Sequence, residues 1–426
     1  MNAASNTSKQ FMTVWSGQLV SGFGSGLTAF TLGIYVFQQT QAVTDFALLT
    51  MCSFLPSVVL RPLAGIFVDR YDRLNLMIMG DLAALMVPVA LLILFKTMGI
   101  ALPDIYVACV VNGLFLALQS TAYKSLVTDL LPEELYGKAS GLVQLAGSAQ
   151  YLLAPVAAGF LVGRVDISLI LLMNAGAYLL AALATIMVKA GHRRPKAGRR
   201  PEVTAWTSEF KAAWAAVAQP RGILSLTLIL TLTTYLVGLI QVLFGPLLLT
   251  ISDPAAYGRT MSICASGLLA GSLMVSLIKF NDLSRQLLVG LGLCGLFLSL
   301  LGFSSGILRI TLTGFCFFAV LPLVNAGAEV LIRKNIPNEM QGRAWGVIGL
   351  ISQAGYLAAF GSAGFLMDSL SGCFRFEGGL LASLLGPGSA GEIRAVFVLA
   401  GFFLLLLCLA SIKNRPIRLL AHAGRA

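Results

Sequence analysis

Charge is scarce in this chain. Of 426 residues only 11% are Asp, Glu, Lys or Arg, against roughly 25% in a soluble domain. Histidine is nearly absent: His192 and His422 both sit in basic segments that read as solvated surface. A Ser/His/Asp set is therefore excluded, and no nucleophile–base pair points to an enzyme. The phosphate-cradling loop Gly-x-x-x-x-Gly-Lys-Ser/Thr is missing, which excludes an ATP-driven pump. The seven cysteines are scattered. Cys52, Cys109, Cys264, Cys294, Cys316 and Cys408 fall in apolar runs, and only Cys373 falls in a connecting segment. That leaves no internal disulfide framework and no zinc spacing. No basic block is interleaved with exposed aromatics, so nucleic acid is not an expected partner. Nothing in the pattern calls for a cofactor or a metal.

What is abundant is apolar sequence. Hydrophobic residues make up 57% of the chain, and the mean hydropathy is +0.87. The reading is an all-α polytopic membrane protein with twelve transmembrane helices. They are expected near 11–37, 46–68, 75–98, 105–128, 138–163, 167–188, 221–250, 257–279, 285–304, 307–331, 341–367 and 393–412. The first run is too long for a cleaved signal peptide and many more follow it. Basic residues concentrate on alternate connections. Lys189, Arg193, Arg194, Lys196, Arg199, Arg200 and Lys211 lie between the sixth and seventh runs, and Lys413, Arg415, Arg418 and Arg425 lie in the tail. The other connections carry Lys96, Arg164, Arg259, Arg309, Arg375 and Arg394 thinly spread. Both termini are thus expected on the cytoplasmic side. The net charge of +11 suits loops that face anionic headgroups.

The domain reading is an N-terminal six-helix bundle over 1–188, a linker over 189–220 and a C-terminal six-helix bundle over 221–426. In the linker, Trp206, Phe210, Trp214 and Val217 recur at helical spacing. They suit a helix lying on the inner leaflet, or one merely tethering the halves. An internal repeat supports two related halves: PEELYGKASG at 132–141 lines up with PNEMQGRAWG at 337–346. Pro ends the preceding helix, Glu favours the next helix N-terminus, and small residues permit close packing.

A charged knot, Gly65–Asp81, joins the second and third runs. It holds Asp69, Arg70, Asp72 and Arg73 between Gly65 and Gly80. The order Gly-x-x-x-Asp-Arg-x-x-Arg resembles the signature loop between helices 2 and 3 of major facilitator superfamily transporters. The fuller run from Pro62 to Asp81 resembles the macrolide-efflux (Mef-type) branch of the drug exporters, as does Leu131-Pro132-Glu133-Glu134 with Gly141 and Gln144. A worn second copy of the loop, Lys279–Arg285, has Asn281 where the first has Asp69.

The resemblance implies two pseudosymmetric six-helix bundles and a conformational latch. In that latch Asp69 caps the N-terminus of helix 11 near Gly342, with Gly65, Arg70, Arg73 and Asp81 as its other parts. The bland reading is topological: Arg70 and Arg73 hold the loop inside. It also implies a central cavity lined by helices 1, 4, 7 and 10, with 5, 8 and 11 contributing. The candidates there are Gln18, Ser25, Asn112, Gln119, Tyr151, Tyr235, Gln241, Asn325, Gln353 and Tyr356. Singly, each reads as a helix–helix hydrogen bond. As a set, neutral amides and hydroxyls among apolar residues suit an amphipathic organic substrate.

Charges within the apolar runs are few: Arg61, Asp81, Lys124, Asp129, Glu329 and Arg333, all expected near cytoplasmic helix ends. Lys124, Asp129, Glu329 and Arg333 are the gate and proton-coupling candidates. The repeat register that aligns Pro132 with Pro337 also aligns Lys124 with Glu329. The two could pair across the halves; local pairing of Glu329 with Arg333, and of Lys124 with Asp129 or Asp69, is the alternative.

The expectation is a monomeric exporter in the bacterial cytoplasmic (inner) membrane, working by proton antiport and alternating access. Its partners would be an amphipathic small molecule, protons and membrane lipids. Within transport, a siderophore or secondary-metabolite exporter or a lysophospholipid transporter is the alternative; outside it, a membrane receptor or scaffold. The orientation has a direct test at Cys373, expected in an outer segment between the last two helices. A membrane-impermeant thiol reagent should label it in intact cells. Labelling only after permeabilisation would reverse the orientation.

Overall fold

Backbone amides and carbonyls find no water in hydrocarbon, and this chain satisfies them within helices almost throughout. The computed structural model describes residues 2–131, 135–191, 214–215, 217–218, 221–277, 282–336, 338–373 and 384–413. Twelve long helices follow one another in these residues. They are α1 (Asn2–Thr40), α2 (Val43–Arg70), α3 (Arg73–Thr97), α4 (Leu102–Leu130), α5 (Tyr136–Leu161) and α6 (Ile167–Gly191). Then come α7 (Arg221–Ile251), α8 (Pro254–Leu277), α9 (Leu283–Phe303), α10 (Ile307–Asn335), α11 (Asn338–Cys373) and α12 (Gly388–Lys413). Ten are long and apolar enough to cross a membrane. Of the other two, α5 has a shorter apolar stretch, Leu145–Leu161, and α8 is interrupted by Arg259, Ser262, Ser266 and Ser272.

Helix ends run past the expected bounds because hydrogen bonding continues where hydropathy stops. α1 begins at Asn2 rather than 11, and α12 begins at Gly388 rather than 393. Cys373 closes α11 instead of standing free in a loop; its side chain lies outside the described residues. The turns are tight. Only Gln41 and Ala42 separate α1 from α2. Gln41 adopts φ 53°, its N–H donates to the Phe37 carbonyl at 2.8 Å, and the Thr40 hydroxyl accepts from Ala42 N–H at 3.1 Å.

The charged knot is also a two-residue turn. Tyr71 closes α2, and Asp72 caps α3 by accepting from Asn75 N–H at 2.9 Å. In the worn copy Asp282 caps α9, accepting from Ser284 N–H at 2.9 Å and Arg285 N–H at 3.2 Å. By capping, then, Asp282 stands where Asp72 does.

The chain divides into two compact units: Met1–Pro201 with Tyr257–Arg259, and Glu202–Ala256 with Thr260–Ala426. Of the linker's spaced apolar residues, Trp214 is exposed and Val217 buried; Trp206 and Phe210 lie outside the described residues. In the first unit α1 packs on α5 and α6, α2 on α4, and α3 on α4 and α6. In the second, α7 packs on α11 and α12, and α9 on α10 and α12. Gly271 brings α8 against the Ala319 carbonyl of α10. Each contact of the first unit thus has its counterpart six helices later. Small residues set the separations. A Cβ on Gly80 of α3 would stand 2.7 Å from Gln119 Cβ of α4, and one on Gly355 of α11 would stand 2.5 Å from Thr234 Oγ1 of α7.

The first unit has an apolar cluster at each end. Phe11, Val14, Val68, Leu74, Met77, Leu126 and Leu130 pack at one; Leu32, Val36, Leu49, Leu91, Ile105 and Leu171 pack at the other. Between them α1 turns a polar stripe inward.

Candidate functional site

That stripe is Gln18, Ser21, Ser25 and Thr28, all buried, with spacings of three or four residues that keep one helix face. At its lower end Gln18 Nε2 donates to Asp81 Oδ2 of α3 at 3.2 Å. Gln18 Oε1 in turn accepts from Gln119 Nε2 of α4. Asp81 is 1% exposed. Its second oxygen, Oδ1, has no hydrogen-bond partner, and no ion pair involves it among the described residues. One turn on, Ser21 Oγ donates to the Gln18 carbonyl at 3.3 Å. Another turn on, Ser25 Oγ lies 2.8 Å from the Ser21 carbonyl and 2.9 Å from Tyr178 Oη of α6. Tyr178 Oη donates to Asn112 Oδ1 of α4 at 3.0 Å. Four helices are tied by this one chain of neutral polar groups with a single carboxylate at its foot.

A cavity of about 150 Å³ opens beside the upper part of the chain. Its polar lining is Ser25, Thr28, Ser53, Asn112, Gln150 and Asn174. Thr28 Oγ1 and Asn174 Oδ1 are buried without a protein partner among the described residues. Beyond the cavity, Tyr106 Oη donates to Asp45 Oδ1 at 3.0 Å, joining α4 to α2.

In the second unit the polar groups are more dispersed. Thr234 Oγ1 of α7 lies 2.7 Å from the Ser352 carbonyl of α11, and Tyr235 Oη lies 3.0 Å from Ser362 Oγ. Gln353 is half-buried with Oε1 unpartnered. The Tyr356 ring sits 6.0 Å from that of Phe360. Gln241, Asn325 and Glu329 are exposed. Arg394, one of the thinly spread basic residues, is in fact 8% exposed. It donates to the Leu385 carbonyl at 2.9 Å.

The structure thus gathers Gln18, Ser25, Asn112, Gln119 and Asp81, while Tyr151 is 58% exposed and stands apart from them. Because Asp72 caps α3, Asp81 lies eight residues inside that helix, about 12 Å along its axis, two residues deeper than a start at 75 would put it. It bonds Gln18, not the loop. Arg73 Nη1 donates to the Ser125 carbonyl and so ties the start of α3 to α4. Lys124 is exposed. The side chains of Arg61, Asp69, Arg70, Asp129 and Arg333, with Gly65 and Gly342, lie outside the described residues. Tyr178 and Asn174 were missed by the sequence reading. Their signal was a polar pair four residues apart in a strongly apolar stretch.

Tyr178→Phe should unfold at lower denaturant in detergent, by about 1 kcal/mol, because it leaves Asn112 Oδ1 without its donor and removes the contact to Ser25 Oγ. Tyr123 is the control. Its buried hydroxyl has no partner, so Tyr123→Phe should not destabilise. Equal losses for the two variants would contradict the network.

Residues 14–360 match the family model described as Major Facilitator Superfamily. At 25% identity over 366 residues the chain is similar to Macrolide efflux protein A of Streptococcus pyogenes, covering 82% of this chain and 87% of that protein. At 25% over 418 residues it is similar to the Uncharacterized MFS-type transporter YfiS of Bacillus subtilis (strain 168), covering 96% and 94%. The crystal structure of the nucleoside transporter NupG superposes with a TM-score of 0.70 at 12% identity, over 97% of this chain and all of that one (100%). A bacterial homologue of the iron transporter ferroportin, in its inward-facing state, gives 0.70 at 16% identity, over 95% and 99%. Helix order, the repeated packing plan and the matched residues agree: this chain is a multi-pass membrane transporter, not an enzyme, and belongs to the Major Facilitator Superfamily.

Proposed function

We propose that the chain exports an amphipathic organic small molecule of the macrolide kind in exchange for protons, by alternating access. The observation that carries the reading is the character of its polar groups. They are amides and hydroxyls set among apolar side chains, the lining that suits a molecule with a large apolar body and a few hydrogen-bonding groups. Arginine clusters that would grip phosphate or carboxylate are missing from the described helix interiors. The similarity to Macrolide efflux protein A supports the direction and the substrate class. A buried carboxylate in the first unit, Asp81, supports proton coupling, since an ionisable side chain in a membrane-spanning helix is a functional group by default. Under the same proposal the loop Gly65–Arg73 acts as the latch between states, and the protein sits in a bacterial cytoplasmic membrane with both termini inside.

The test uses bacterial cells lacking their own drug pumps, expressing this chain and loaded with radiolabelled erythromycin. Accumulation should fall several-fold, and a protonophore should restore it. Unchanged accumulation of erythromycin and of a panel of amphipathic dyes would contradict export. A fall that survives the protonophore would contradict proton coupling.

A further inference from the structure

The same spacing recurs on three helices of the first unit. Ser25, Pro88 and Asn112 each stand seven residues from Gln18, Asp81 and Gln119, respectively. Seven residues are about 10 Å of helix. The first three line the cavity; the second three form the layer around the carboxylate. Ser21 of α1 lies between the layers and is hydrogen-bonded toward both. A cavity with several amides and hydroxyls in a mainly apolar wall therefore stands above a buried carboxylate in the same bundle, with the Ser21 hydroxyl between them.

We propose that Asp81 is the group that takes up and returns the coupled proton, and that the cavity and α1 stripe of the N-terminal unit give it access to water. This deepens the export reading and rests on it. An isolated carboxylate in the interior needs a cation, several donors or a proton. Asp81 has one neutral donor, Gln18 Nε2, and a free Oδ1. Protonation forms one O–H bond at Oδ1 and removes the charge. Release breaks that bond and returns the proton to cavity water. No electrons move and no co-reactant is needed.

Among the described residues, no charged side chain pairs with Asp81. α1 brings the amide of Gln18, and its one described basic residue, Lys9, is exposed near the helix start. α4 brings Tyr123, buried with Leu74 and Met77, and the exposed Lys124. α6 brings Tyr178, engaged with Ser25 and Asn112, and the exposed Lys189. On α3 itself Arg73 donates to Ser125. Glu329, the sequence candidate for this role, is exposed.

Infrared difference spectroscopy of the purified protein across pH reads the protonated carboxyl directly and needs no substrate. A C=O band that is lost on raising pH is expected in the wild type and absent from Asp81→Asn. In Gln18→Leu, which deprives the carboxylate of its donor, the band should persist to higher pH by about one unit. A wild type without a titrating band, a band unaltered in Asp81→Asn, or an unmoved Gln18→Leu would each overturn the assignment. In proteoliposomes with erythromycin as the probe, Asp81→Asn should lose uptake driven by a pH gradient and keep exchange of labelled for unlabelled erythromycin. Retained gradient-driven uptake would also overturn it, whereas a purely structural Asp81 would leave the pH dependence in place. If wild type moves no erythromycin while the Asp81 band still titrates, the export reading fails and the proton site stands.

Discussion

A carboxylate in hydrocarbon must be paired, hydrated or protonated, and much of the first unit is arranged around that requirement. Asp81 sits two turns inside α3 with apolar clusters above and below. Gln18 reaches it from α1 and is itself held by Gln119 of α4, and Gly80, the residue before Asp81, lets α4 come close enough for Gln119 to do so. From there hydroxyls and amides climb α1 to Tyr178, Asn112 and the cavity. Neutral hydrogen bonds of this kind contribute roughly 0.6 kcal/mol each between membrane helices. Their main consequence is a fixed register among α1, α3, α4 and α6 rather than a large gain in stability.

The second unit repeats the packing plan without repeating the carboxylate. α7, α9, α10, α11 and α12 meet as α1, α3, α4, α5 and α6 do. At the position that capping assigns as equivalent to Asp81, nine residues beyond Asp282, the sequence has Leu291, fully buried. Where the first unit has a hydrogen-bonded chain, the second has pairs such as Tyr235 with Ser362 and Thr260 with Thr311. The two halves share a scaffold and differ in chemistry at this position.

The helices were legible because an apolar run of bilayer length rarely forms anything but a membrane-spanning helix. Their ends were not: Asn2–Phe11 and Leu370–Cys373 stay helical after hydropathy falls. Gln18, Ser25, Asn112 and Gln119 could be picked as polar exceptions in apolar helices. Which of them meet depended on helix rotation, which hydropathy does not encode. The cap at Asp72 starts α3 two residues before the expected 75, so Asp81 lies that much deeper than hydropathy alone puts it. Tyr178 lies on α6, which is not among the helices the resemblance puts around a cavity, although its hydroxyl is the joint between α1 and α4.

The central claim is that substrate and proton compete through one protein. Its most direct measurement is proton release on substrate binding. Detergent-purified protein in a weakly buffered solution, with a pH-indicator dye, is mixed with erythromycin. The account predicts a prompt acidification that saturates with the protein concentration and is missing from Asp81→Asn. Erythromycin binding with no proton released at any pH would contradict it.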